Sequence, residues 1–421
     1  MKNRVFMACA LSLLLASCSQ NTTPRLPDTM TAPAAGMPEA TDTAMTGEEG
    51  LATEGVAQSA ADRLAALAAP GTVAGGGTGT TVRPDGTLLV GNQAMFPMGF
   101  YHVSWAGNAQ KRLRDLNAIA NLGFNTVNMT MFDPEMDLGG FTKVLDTAQA
   151  RGMKVIVEDY NATSIAALKS HPATLGWMIA DDCNNRVTPQ ELEKRHRMTK
   201  ALDPDHLTYT SMAISFANSH SDYFGRADAV GNQSYPIDGG DPISVVYPVM
   251  QKLVSEAAQK GTLPIANLQS FRWENGRYPT AQELNSMTNQ ALAAGVKGIL
   301  YYTYLDTTND MAKYTQLNGE LRKLAREVKL LAPVLLNGER QSVAVPGVGG
   351  RVKATVWTYQ GHRYLQVLNL NDKAAQNITL NLPSGTALKP LFAGRPAGLK
   401  LQAGKVSGTL STLSTHWYEL N

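Results

Sequence analysis

The chain has 421 residues, with 37 Lys and Arg against 35 Asp and Glu, so no basic face suited to nucleic acid is expected. Its three cysteines, Cys9, Cys18 and Cys183, are too few and too widely spread for a disulfide scaffold.

The first element is a secretory signal over residues 1–17: Lys2 and Arg4 give a charged start, an apolar run reaches Ala16, and small residues mark the cleavage site. The apolar run is too short to remain as a membrane-spanning helix. Leu15-Ala16-Ser17-Cys18 resembles the lipobox of bacterial lipoproteins, which implies an acylated Cys18. The expected location is the cell envelope, lipid-anchored and extracytoplasmic, at the periplasm or cell surface. Removal of the signal takes away Lys2, Arg4 and Cys9, leaving a formally neutral chain in which Cys183 is the one cysteine outside the lipobox. Residues 18–81 are rich in Thr, Ala, Pro and Gly and are expected to form a flexible tether.

From 82 to 335 short apolar runs alternate with amphipathic stretches, the pattern of βα units and a parallel sheet. Strands are predicted at Phe96–Tyr101, Thr126–Met131, Lys154–Val157, Leu175–Ala180, Thr208–Met212, Ala229–Asn232, Pro264–Leu268 and Gly298–Tyr302. Capping boxes at Thr188/Glu191 and Thr280/Glu283 start helices, and Gly123, Gly152 and Gly295 end them. Eight such repeats predict an α/β fold of the closed (β/α)8 TIM-barrel type. From 336 to 421 the period changes to strict alternation, as in Val352-Lys353-Ala354-Thr355-Val356, and predicts a small all-β sandwich domain.

A barrel of this kind places its site at the carboxyl ends of the strands. Those positions carry Tyr101, His102, Trp105, Asn128, Glu158, Asp159, Asp181, Asp182, Gln233, Tyr235, Gln269, Tyr302 and Tyr304. The fourth strand, reached through His171-Pro172-Ala173 and Gly176-Trp177, ends at Ala180-Asp181-Asp182-Cys183. It resembles the stretch that closes the fourth strand in clan A (β/α)8 glycoside hydrolases, whose general acid/base glutamate aligns with Asp182. Tyr235-Pro236 is similar to the sixth-strand pair of those barrels. The resemblance implies hydrolysis of O-glycosidic bonds in a polysaccharide or oligosaccharide. In that family a glutamate ending the seventh strand is the nucleophile, and Gln269 stands at about that point here.

Strand alternation offers its own assignment: with Gly176, Met178 and Ala180 facing inward, Asp182 faces inward and Asp181 does not, unless a bulge intervenes. Three readings of the missing second carboxylate stay open. Glu158 or Asp159 acts on water, Glu274 folds back into the cleft, or the barrel is a non-catalytic glycan-binding lipoprotein. The remaining strand-end residues are expected to bind sugar, with Trp105 and Tyr235 as stacking platforms. The partners expected are a carbohydrate and a membrane through the lipid anchor, with no nucleic acid. No cofactor or metal is called for, since the seven histidines form no ligand motif, and a monomer is expected.

Overall fold

The computed structural model describes residues 62–65, 78–103, 108–131, 138–213, 221–273, 276–382 and 387–421. The signal sequence, Cys18, most of the tether, Trp105 and Glu274 lie outside the described residues.

Three short antiparallel strands come first: β1 (Thr80–Val82), β2 (Leu88–Val90) and β3 (Gln93–Met95). Leu88 is wholly buried with Leu175, Leu207, Leu263 and Leu300, so this sheet plugs the end of the barrel at which the parallel strands begin. The turn between β1 and β2 requires Gly86, whose φ is +81° and whose added Cβ would stand 2.9 Å from Pro264.

Eight parallel strands then close into a barrel in the order β10-β11-β4-β5-β6-β7-β8-β9. They are β4 (Met98–Phe100), β5 (Thr126–Thr130), β6 (Lys154–Glu158), β7 (Thr174–Ala180), β8 (Leu207–Met212), β9 (Ala229–Ser234), β10 (Leu263–Gln269) and β11 (Gly298–Tyr302). Each predicted strand falls on one of them. The ring is sealed by pairing of Ile299 with Met98 and Tyr301 with Phe100. Ile156, Met178, Tyr209 and Ile265 fill the interior, whereas Val155, Val157, Trp177 and Ile179 pack in the cluster shared with the surrounding helices. This double-sided burial explains why the strands read as continuous apolar runs.

The helices follow their local signals. Thr280 and Glu283 form a reciprocal capping box at Ala281–Ala294. At Pro189–Leu202, Thr188 accepts from the Glu191 amide, but the Glu191 side chain pairs with Arg195 at 3.2 Å instead of returning to the cap. Gly123 and Gly295 end their helices in the left-handed conformation.

The C-terminal part is an all-β domain of two antiparallel sheets. One has the order β12-β13-β14-β19-β16, formed by β12 (Glu339–Val343), β13 (Val352–Tyr359), β14 (His362–Asn369), β19 (Thr415–Leu420) and β16 (Leu388–Pro390). The other is β15-β18-β17, from β15 (Gln376–Asn381), β18 (Lys405–Leu410) and β17 (Lys400–Gln402). Leu365, Val367, Leu380 and Val406 are among the residues of its own apolar core. A second contact surface joins it to the barrel: Trp417 Nε1 donates to Asn289 Oδ1 at 2.9 Å, and Arg395 bridges Glu320 and Glu327 at 2.7 and 2.6 Å. Helix Ala281–Ala294 is therefore buried on nearly every side, between barrel strands and β-domain.

Candidate active site

The ends of β4, β6 and β7 share an unusual backbone. His102, Asp159 and Asp182 have φ values of 49°, 55° and 45°, the left-handed region that non-glycine residues seldom occupy. Each costs roughly 1–3 kcal/mol, and such strain gathers where side chains must be aimed against local preference.

At Asp182 the consequence is that alternation fails. Asp182 becomes the residue before the short helix Cys183–Arg186, and the β7 register shifts near Met178. Both neighbouring carboxylates then face the barrel mouth: Asp181 meets Tyr101 and His102, while Asp182 meets Gln233. The expectation that only one of the pair points inward is corrected by this turn.

His102 is the centre of the arrangement. Its Nδ1 lies 2.9 Å from Glu158 Oε2 and its Nε2 lies 3.4 Å from Asp181 Oδ2. Burial opposes its protonation, but the two carboxylates prevail and raise its pKa to about 10, so an imidazolium bridges them at neutral pH. Glu158 Oε2 is buried and takes no hydrogen bond apart from this ion pair. The turn carrying His102 is fixed by Asn128, whose Oδ1 accepts the His102 amide and whose Nδ2 donates to the Ile156 carbonyl. Asn128 is fully buried and thus supports the backbone rather than reaching a ligand.

Asp181 and Asp182 respond in opposite directions to a shared setting. For Asp181, burial disfavours the charge, but hydrogen bonds from His102 and Tyr101 outweigh it and hold the pKa below the ordinary value. For Asp182, burial and the Asp181 charge raise the pKa, and the 2.7 Å bond from Gln233 Nε2 only partly offsets them. The Arg186 guanidinium lies 3.4 Å from Asp182 and 3.7 Å from Asp181, but it is 64 % exposed and contributes little. Beneath Gln233, Ser211, Tyr209 and Asn267 form a buried hydrogen-bonded floor. Ser211 was not foreseen, although it shares a strand face with Tyr209.

Other predicted positions fall elsewhere. Asp159 is exposed and accepts from Thr130 Oγ1. Gln269 is fully buried: its Oε1 accepts the Ile237 amide at 3.0 Å, and its Nε2 donates to Asp238 at 2.7 Å and to the Phe271 carbonyl at 3.2 Å. It braces the loop after β9, with both Nε2 hydrogens committed and the whole side chain out of reach of solvent. Tyr304 is 2 % exposed and packs edge-on to Phe100 at 5.2 Å, outside the mouth. Tyr235 is not a free platform, since its ring meets Phe271 at 5.0 Å and Tyr302 at 6.1 Å. Its buried hydroxyl has no hydrogen-bond partner among the described residues. Tyr302 borders both Tyr101 and His102, at 5.5 and 6.1 Å. Cys183 is fully buried, with its thiol pushed up to about 12 by burial, so it is no nucleophile.

From the carboxylates a cleft of about 530 Å³ runs outward past Glu158, Asp159, Asp181, Arg186, Arg195 and Met198. The site therefore offers one carboxyl whose pKa is raised, further carboxylates beside it, an imidazolium bridging Glu158 and Asp181, and a groove leading away.

No family model matches the chain, and no curated protein matches it. Solved structures do. The alpha-amylase from Geobacillus thermoleovorans, complexed with acarbose, is 13 % identical with a TM-score of 0.57, the match covering 77 % of this chain and 98 % of that one. AmyP in complex with maltose is 10 % identical with a TM-score of 0.53, over 74 % and 90 % of the two chains. The alpha-amylase from H. orenii is 12 % identical with a TM-score of 0.52, over 78 % and 100 %. At such identities the likeness is one of fold: the chain has the TIM barrel and C-terminal all-β domain of alpha-amylase-family glycoside hydrolases.

Proposed function

We propose that the protein is a glycoside hydrolase that cleaves O-glycosidic bonds of a polysaccharide or oligosaccharide, with Asp182 as general acid and Glu158 as the second carboxylate. The observation that carries this is the placement of the adjacent pair at the barrel mouth, Asp181 bonded to Tyr101 and His102 and Asp182 to Gln233, so that burial and the Asp181 charge raise the Asp182 pKa while the Asp181 pKa is lowered. Carboxyls pushed apart in this way divide acid and charge-stabilising roles.

In this scheme Asp182, oriented by Gln233, gives its proton to the leaving oxygen as the glycosidic C–O bond breaks. Asp181 faces the positive charge that develops on the sugar. Glu158 is fixed through Oε2 by His102 and accepts a proton from the water that attacks the anomeric carbon. Attack by water inverts the anomeric configuration, which agrees with a Gln269 committed to backbone support rather than to nucleophilic attack. The acarbose and maltose carried by structural neighbours support a carbohydrate at this site.

The test is release of reducing ends from a panel of polysaccharides by the full-length protein beside Asp182→Asn. Release that disappears in the variant supports the scheme. Binding without release would leave a glycan-binding barrel and remove the hydrolase reading. The lipobox supports the further proposal that acylated Cys18 anchors the enzyme outside the cytoplasm. Cys18→Ala should move the protein from the membrane fraction to the soluble fraction, and a chain that stays with the membrane would refute the anchor.

A further inference from the structure

Three large apolar side chains are exposed among the described residues: Met198 at 60 %, Leu202 at 42 % and Trp273 at 50 %. Trp273 is the aromatic one, and it is held in place. Its amide donates to Asp238 at 3.2 Å, and its ring stands 4.5 Å from that of Phe271, which is fully buried. A fixed indole left half in water offers an amphipathic ring, with an apolar face and a polar N–H, to a partner at the rim of the site.

Its position relates it to the carboxylates. Tyr302 lies 6.3 Å from Trp273 on one side and 6.1 Å from His102 on the other, so one ring separates the exposed indole from the imidazolium. Trp273 follows β10, and the strand order sets β10 four places around the eight-stranded ring from β6, which carries Glu158. The cleft past Glu158 toward Arg195 and Met198 therefore opens on the opposite side of the mouth from Trp273. In the strand order, Glu158 on β6 and Asp181 after β7 thus stand across the ring from Trp273 and border the cleft that contains Met198.

We infer that Trp273 is a distal sugar-stacking subsite, occupied by a glycan chain that crosses the barrel mouth from Trp273 toward the cleft beside Met198. A pyranose ring has one face made largely of C–H groups, which suits the open indole face, while its hydroxyls remain in water. The inference rests on the carbohydrate reading of the site, but not on cleavage; if cleavage occurs, a chain extending to both sides is cut internally.

The experiment measures retention of the full-length Asp182→Asn protein by affinity electrophoresis in gels containing each polysaccharide of the panel. Trp273→Ala in that background should weaken binding about tenfold, and Trp273→Phe should keep most of it. The protein with Asp182 intact should release fragments of mixed length. Retention that is unchanged in Trp273→Ala, release of terminal sugars alone, or no retention on any polysaccharide would each overturn the inference. Trp273-dependent retention with no release by the Asp182-intact protein supports the subsite and removes the hydrolase reading instead.

Discussion

His102 and Glu158, 56 positions apart in the chain, meet as an ion pair of 2.9 Å that ties the end of β4 to the end of β6. Because the folded pKa of His102 is raised from 6.5 to about 10, the stabilisation is fully present below pH 6.5 and is lost as pH rises through about 10. Denaturation midpoints measured from pH 6 to 11 should fall across that window. His102→Gln should flatten the fall and cost about 3 kcal/mol at pH 7, because two carboxylates lose their shared counter-charge. An unchanged alkaline limb in the variant would refute the bridge.

Asp182→Asn should lower kcat by roughly 10²–10⁴-fold, the usual worth of a positioned general acid. Gln233 lowers the Asp182 pKa by bonding its carboxylate, so Gln233→Leu should move the alkaline limb of the rate profile to higher pH. A limb that moves to lower pH would contradict the assignment of Asp182 as the acid.

Gln269→Glu restores the residue type that the clan A resemblance places there, yet it should confer no new activity. The carboxylate would face Asp238 and the Phe271 carbonyl, which the amide nitrogen now satisfies. Thermal or urea denaturation should show a loss of about 1–3 kcal/mol. A stable variant with increased turnover would show that this side chain reaches the substrate.

The β-domain carries its own acid sensitivity. His416 is buried on β19, and burial lowers its pKa to about 4. A histidine kept neutral in the fold contributes stability that is complete above pH 6.5 and is lost as pH falls toward 4, on the order of 3 kcal/mol in all. His416→Asn, which cannot take up the proton, should reduce this loss in acid denaturation followed from pH 7 to 4.

The barrel was legible because its period is local. Eight apolar runs separated by capped helices need no knowledge of distant partners, and Thr280 with Glu283 announced a helix start from four residues. The strand-end carboxylates were visible for the same reason. What they do was not, since that depends on pairs such as Tyr101 with Asp181 and Gln233 with Asp182, brought together only by ring closure. Alternation misjudged Asp181 because the left-handed turn at Asp182 is only weakly marked in sequence: aspartate visits that region more than most residues but far less than glycine. Gln269 and Tyr304 occupied suggestive positions but were claimed by packing, Gln269 by the loop after β9 and Tyr304 by Phe100.

The bond between Trp417 and Asn289 spans 128 residues of chain. Helix Ala281–Ala294 belongs to the barrel by sequence position, yet β13, β14 and β19 of the β-domain pack against it. Contacts of such separation form late, because a long loop must close before they can contribute. Without β19 in place, this helix presents surface that the folded chain covers. Loss of the last few residues should therefore appear as poor yield and aggregation, rather than as a soluble barrel with a missing appendage.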